Sequence, residues 1–408
     1  MSLKKLEFVL ENIDPLLFAE RGADNILVTT KRYIPGSAIR GALAHLYINA
    51  HKLQNAYEDA TFFDLFLSGK VRFLPAYPIG CRELEQGDAF VMPLSLMRSK
   101  DKTQTVDLTA AAENKAGFKK LQGFAVKKDN KLYQIDTDVK IELHMSRSGA
   151  GERITGSSRE GNVFNYEYLE PGQLFKGAYL ANDDAVELWE KVLRELNVEA
   201  LHLGRSKSAQ YGKCLYAAIP AKEAQQAALG DKLYLLAQTP YIAFGSWQRV
   251  EQAAAELLGE LEARLDCELA KEGLHIFAAA ESIDGYVGVW QAKKQAERAL
   301  SAGTLIELRL NGAVDSAKLQ EALLQGLGKG TEDGFGQFII WQPLTKPELV
   351  DKPPQKQFEN IVLSDEVKKT AKKIIRERLL QEVRQQAAQD AQSGKLKINL
   401  ENSNHILK

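Results

Sequence analysis

Apolar and polar residues alternate over 6–10, the period of a half-buried strand. Residues 26–28 predict a second short strand after the turn-forming run 21–25. Pro35 and Gly36 then break the chain, Ser37 is a good N-cap, and 38–50 predicts a helix. Strands are predicted again at 139–144 and 164–169, joined by a polar stretch rich in Gly, Ser and Arg over 146–165. Two strands with so long a polar connection predict a projecting hairpin, and 101–130, polar and poorly periodic, predicts an insertion. A helix is predicted at 184–195. Beyond a junction at 221–231 the expected order is strand 233–236, helix 249–265, strand 275–279, helix 290–299, strand 305–310, helix 316–325 and strand 337–341. Pro343, Pro347, Pro353 and Pro354 mark a linker, and 366–392 predicts a helix with Ala371, Ile374, Ile375, Leu379, Val383 and Ala387 on one face.

Strands and helices alternating in this way predict an α+β protein, with helices on one face of antiparallel sheets as in a split βαβ sandwich. The expected division is 1–220 with an insertion at 100–165, 221–345, and a tail over 346–408. No apolar run approaches the roughly 20 residues of a membrane-spanning helix. The first residues, MSLKKLEF, are expected to be a strand and not a leader. Cys81, Cys214 and Cys267 are far apart and odd in number, which excludes a disulfide framework and a cysteine-rich zinc site and fits a reducing cytoplasm.

The formal net charge is −1, so any contact with nucleic acid must be local. Lys31, Arg32 and Arg40 form one acid-free basic cluster, and Arg205, Lys207 and Lys213 form another. They adjoin or enter glycine-bearing loops, 35–41 and 204–212, to which Arg40, Arg205, Lys207 and Lys213 add fixed cations, and a third such loop runs over 326–336. Glycine lets the backbone approach a ligand closely, and successive N–H groups in such turns make concave anion sites. None of the three is a P-loop: 326–336 has no Gly-Lys-Ser/Thr ending and precedes a strand. DGFGQF at 333–338 echoes the aromatic octamer of RNA-recognition motifs, but Asp333 replaces a basic residue and Gln337 a stacking aromatic one.

With YIPGSAIRGALA at 33–44, the chain resembles the RAMP superfamily of CRISPR-associated proteins. Residues 330–338 look like that family's C-terminal glycine-rich loop, ending in Gly334-Phe335-Gly336. LGRSKSAQYG at 203–212, His144, and LEPGQLFKG at 169–177 resemble a narrower pattern, that of the type III-D effector subunit often called Csx-ten. The resemblance spans about 6–341. It implies two tandem ferredoxin-like (RRM-like) domains, a thumb-like hairpin at 146–165 carrying Arg147, Arg153 and Arg159, and a C-terminal helical tail.

It further implies an RNA-binding subunit of a type III effector complex that holds the 5′ repeat-derived end of the guide RNA. The expected partners are the guide (crRNA), the large polymerase-like subunit, RAMP backbone subunits and, through the complex, target RNA; no membrane is involved. The expected RNA contacts are Lys31, Arg32, Ser37, Arg40, His144, Arg147, Arg153, Arg159, Gly204, Arg205, Ser206, Lys207, Gln210, Tyr211, Lys329, Gly334, Phe335 and Gly336. No cofactor or metal is expected. The alternative is a backbone-type subunit that cleaves target RNA with Asp24 and a divalent metal. A third reading, a guide-processing ribonuclease, would need a histidine as general acid or base, but His45 is expected on a helix and His202 in a strand.

Overall fold

The computed structural model describes residues 3–20, 27–110, 117–129, 131–145, 163–205, 211–219, 229–287, 292–293, 295–310, 314–345, 347–351, and Arg376, Leu379 and Val383. Two units divide the chain at Gln355; in the second, Lys356–Lys408, the three described residues are helical.

In the first unit, strand Leu3–Asn12 is followed by helix Gly36–His51, strands Val71–Phe73 and Leu174–Asn182, helix Asp183–Glu195 and strand Lys213–Ala218. The last strand pairs with the first, the first with the third and the third with the second, all antiparallel. Both helices lie on one face: Ile39, Leu43 and Tyr47 from one, and Val186 and Trp189 from the other, share a core with Phe8, Phe73 and Tyr179. The order repeats downstream. Strand Lys232–Ala237, helix Val250–Leu265, strands Ala270–Phe277 and Leu305–Arg309, helix Ser316–Gln325 and strand Phe338–Ile340 form a second sheet with the same neighbour pattern. Leu257 and Leu261 with Leu319 and Leu323 cover its core at Leu233, Leu235 and Ile306.

Local chemistry explains the helix starts. Asp183 and Asp184 place negative charge in the first turn of their helix, and the Asp315 carboxylate accepts from the Ala317 and Lys318 amides. The helix expected to be capped by Ser37 starts two residues earlier, at Gly36. Pro35 is its N-cap, at φ −64° and with no side-chain cap bond, and Ser37 lies within the helix.

The chain between Phe73 and Leu174 is inserted where a short hairpin turn would join the second and third strands of the first sheet. It therefore begins well before the expected residue 100. Strands Asp88–Val91, Phe124–Lys128 and Lys131–Ile135 form a further sheet, with Leu349–Val350 added parallel at one edge. Both faces of this sheet are buried. Phe124, Val126 and Ile135 pack with Val9, Ile79 and Ile219 behind the first sheet, while Phe90, Ala125 and Leu132 pack with Leu236, Leu305 and Trp341 behind the second. The polar stretch at 101–130 thus contains strands, and one of its carboxylates is a structural knot. Asp107, 1% exposed, accepts from Ser95 Oγ, the Thr109 hydroxyl and amide, Trp341 Nε1 and the Leu344 amide.

The strands expected at 139–144 and 164–169 are Val139–Met145 and Val163–Leu169, paired antiparallel, with Leu27–Thr30 parallel beside the second. The projection expected between them, 146–162, lies outside the described residues. The helix expected at 290–299 is not formed over its described residues. Glu297–Leu300 is instead a strand paired with Ala280–Ile283, and Ala299 and Leu300 are fully buried. Alanine- and lysine-rich composition favours helix only weakly, and burial in a sheet overrides it.

A buried ion pair sits behind the first sheet. Lys176 Nζ lies 3.0 Å from a Glu7 carboxylate oxygen and donates to the Gly87 carbonyl of the insertion. Burial alone would raise the Glu7 pKa; Lys5 and Lys176 outweigh it and hold the carboxyl below its ordinary value. A carboxylate whose folded-state pKa is depressed stabilises the fold above its unfolded pKa, and that contribution is lost as pH falls through the folded value. Lys176→Ala is expected to cost about 1–3 kcal/mol at neutral pH, because Glu7 keeps only Lys5, at 2.9 Å, as its cationic partner. Glu7→Leu/Lys176→Met should recover most of that loss and flatten the acid limb, as read by chemical denaturation at neutral pH and near pH 4.

Candidate nucleic-acid interface

Two of the three glycine loops meet. The entrance of helix Gly36–His51 and the loop before strand Phe338–Ile340 both press on the carbonyl of Phe73. A Cβ at Gly36 would lie 1.8 Å from Phe73 O and 3.1 Å from Asp333 O, and one at Gly334, where φ is +86°, would lie 2.5 Å from Phe73 O. Only glycine permits both approaches. Arg40 closes the junction with an ion pair to Asp333 at 2.6 Å. Beneath it, the Arg72 guanidinium donates to the Gln325 carbonyl and Arg264 to the Gly326 carbonyl, placing cations at the C-terminal end of helix Ser316–Gln325.

Most backbone donors of this loop are engaged within the protein. The Gly328 amide donates to Glu260, Lys329 to Ile242 O, Gly334 to Thr331 O, Phe335 to Gly330 O and Gly336 to Pro240 O. The glycines here serve close packing and positive φ. Gly336, at φ +66°, would place a Cβ 1.7 Å from Leu327 O.

Beside this junction opens a cleft of about 420 Å³. Lys31, Arg32, Pro35, Gly36 and Ser37 line it from the first motif, and Asp333, Gly334 and Phe335 from the third. Tyr33, Tyr77 and Phe124 form an aromatic group in its lining, with ring centroids 5.1–6.2 Å apart. Lys31 Nζ sits 5.6 Å from the Tyr33 ring centre. Burial would lower the Lys31 pKa, but the field of Tyr33, Glu20 and Glu281 prevails and raises it, so Lys31 stays a cation. Glu281, also in the lining, is pushed up by burial against the lowering effect of the Ala302 amide and Lys31.

Arg32 leaves the cleft toward the hairpin sheet, where it pairs with Glu167 at 2.8 Å; Glu167 also accepts from the Thr30 amide. The second motif lies on the other face of that sheet, since Tyr166 and Glu167 alternate along one strand. Gly204, at φ +82°, brings the backbone against Leu17, where a Cβ would be 2.7 Å from the carbonyl. The following Arg205 amide donates to Leu17 O, and its exposed guanidinium lies over the Tyr166 ring at 5.2 Å. Tyr211 is buried there and donates to Glu142 at 2.9 Å; burial, then Glu142, push its hydroxyl pKa up.

The structure therefore gathers Lys31, Arg32, Ser37, Gly334 and Phe335 at one cleft, and Gly204, Arg205 and Tyr211 at the base of the hairpin sheet. Lys329 pairs with Glu297 at 3.0 Å. His144 is a strand residue in register with Phe164. Asp24, Arg147, Arg153, Arg159, Ser206, Lys207 and Gln210 lie outside the described residues. Sequence reasoning missed Tyr77, Phe124, Gln122, Thr239 and Glu281, which belong to no motif and come from the insertion and the second half. Among the described residues no group of His, Cys, Asp and Glu is arranged to hold a metal ion, and no helix is long and apolar enough to cross a membrane.

Fold and site together define an α+β protein with repeated strand order and glycine loops packed into a cleft. Residues 10–214, just over half of the 408-residue chain, match the model of the RAMP superfamily, and the chain belongs to that superfamily. None of the curated proteins matches its sequence. Among solved structures it is similar to a chain of a type III-B Cmr-beta complex bound to cognate target RNA (11% identity, 74% of this chain and 86% of that one, TM-score 0.40). It is also similar to a RAMP protein binding different RNA substrates (11% identity, 83% and 99%, TM-score 0.33) and to oligomeric Cmr4 from Pyrococcus furiosus (13% identity, 53% and 99%, TM-score 0.26).

Two glycines offer a controlled comparison. Gly334→Ala is expected to cost about 1–2 kcal/mol from the left-handed backbone alone, and more from collision with Phe73. Gly41→Ala, whose Cβ would meet nothing within 4 Å, should be neutral or stabilise the helix by about 0.5–1 kcal/mol. Thermal unfolding of the two variants checks the contrast.

Proposed function

We propose that the chain is a non-catalytic RNA-binding subunit of a type III CRISPR ribonucleoprotein, holding the repeat-derived 5′ end of the guide. The observation that carries the reading is the meeting of the superfamily's two glycine motifs at one cleft, next to a sheet that bears an exposed arginine stacked on tyrosine. The two repeated strand orders are read as tandem ferredoxin-like domains, over 1–220 and 221–345, followed by the tail 346–408. The hairpin strands Val139–Met145 and Val163–Leu169 would be the root of the thumb. Partners are the guide, the large polymerase-like subunit and backbone subunits, with target RNA reached through the complex, in the cytoplasm. The Csx-ten subunit is the member its motifs fit best.

Arg205 and Lys207 would neutralise phosphates without reading sequence. Replacing both with Ala should weaken RNA binding about equally for all sequences and reduce the slope of log K against log salt by roughly one to two units. An unchanged slope would make the loop at 204–212 an ordinary turn. Crosslinks from Arg205 in the assembled complex should map to the guide's 5′ end; mapping to its interior would replace the end-holding reading with a backbone position.

A further inference from the structure

The cleft carries more acid than a phosphate path would. Its charged lining is Glu20, Lys31, Arg32, Glu281 and Asp333. Arg32 is committed to Glu167 and Asp333 to Arg40. What remains is one lysine between two carboxylates, a field that disfavours a phosphate anion. The rest of the lining is aromatic or apolar: Tyr33, Tyr77, Phe124 and Phe335, with Pro35, Pro75 and Pro240. A volume of about 420 Å³ falls in the range of small-molecule sites, roughly 300–1,000 Å³. Flat apolar walls of this kind take an unstacked base by its face, and the polar groups are left to read its edge.

Lys31 and Glu281 present a donor beside an acceptor. One Glu281 oxygen already accepts from the Ala302 amide at 3.3 Å. Burial raises its pKa against the lowering effect of that amide and of Lys31, so a further donor to this carboxylate would favour its ionised form. Guanine is the base whose Watson–Crick edge complements this pair: O6 accepts from an ammonium, while N1–H and the N2 amine donate together to a carboxylate. Adenine would turn its amine toward the lysine and its N1, an acceptor, toward the carboxylate. Uracil has one N–H donor, and cytosine one amine.

We infer that this cleft holds a single unstacked guanine base of the bound RNA, with Glu281 and Lys31 reading its Watson–Crick edge above the Tyr33–Tyr77–Phe124 group. The inference rests on the RNA-binding reading above and adds base selection to it. Glu281 is the specificity-determining residue, and Lys31 reads O6.

The test uses the full chain and fluorescence anisotropy with labelled eight-nucleotide RNAs. One is all uridine, and the others carry a single central guanosine, inosine or adenosine. The guanosine RNA is expected to bind roughly 10- to 100-fold more tightly than the uridine RNA. Inosine, which lacks the N2 amine, should lose most of that gain, and adenosine should gain little. Glu281→Gln should remove most of the preference for the guanosine RNA over the uridine RNA, read as the ratio of the two affinities measured on the variant. Because inosine changes only the ligand, the inference stays testable if the variant folds poorly. Equal binding of guanosine and adenosine RNAs by the unaltered chain would overturn it, leaving stacking without edge reading. Failure to bind any of the four would overturn the RNA-binding reading itself, and base selection with it.

Discussion

The strand Phe124–Lys128 has no solvent face over its first three residues, and the rest of the molecule is arranged around that fact. Phe124 and Val126 point into the core behind the first sheet, and Ala125, fully buried, points into the core behind the second. An antiparallel sheet with helices on one face can leave its other face to solvent, but here two such sheets bury theirs against one inserted layer. The hydrophobic effect is non-directional, so burial alone would tolerate sliding. Directional bonds fix the register: Lys176 to Glu7 and Gly87 on one side, and the ring of donors around Asp107 on the other.

The cleft is a consequence of that layer. Phe124 reaches it from the inserted strand, Gln122 from just before that strand and Tyr77 from the chain leading into the layer, while Thr239, Glu281 and Phe335 come from the second half. The Phe73 carbonyl, at the end of an edge strand, is the point both glycine motifs touch. Shifting the inserted layer would therefore move the cleft floor relative to both motifs, although it shares no residue with either signature.

Much of the fold was legible because its elements obey strong periodicities. The helix expected at 316–325 is Ser316–Gln325 as observed, with Asp315 as a capping residue that sequence patterns favour. The segments that misled did so for identifiable reasons. Residues 290–299 carry helix-favouring Ala, Lys and Gln, but pairing with Ala280–Ile283 places Ala299 and Leu300 in the core. Ser37 looked like a cap, yet Pro35 already holds the required backbone angle. The inserted layer read as an irregular polar stretch because its strands are short and buried on both faces, which removes alternation. Of the site, the motif residues were legible through their glycines. Glu281 was not, because nothing local distinguishes a carboxylate that faces a cleft from one that faces water.

Among the described residues, three of the cations singled out in the sequence serve architecture. Arg40 holds Asp333, Arg32 holds Glu167 and Lys329 holds Glu297, while the amides of the third glycine loop donate inward. A chain of net charge −1 cannot rely on a diffuse positive surface. Among the described candidates, Arg205 combines exposure with a stacking platform, and Lys31 remains charged among carboxylates. On the proposed RNA-binding reading, the described cations alone give a weak dependence on salt, and more of the affinity must come from stacking and from edge contacts at a fixed cleft. Close packing by glycine is what makes such a cleft possible. It removes the side chains that would fill the junction, and ion pairs then hold the two loops at the spacing left behind.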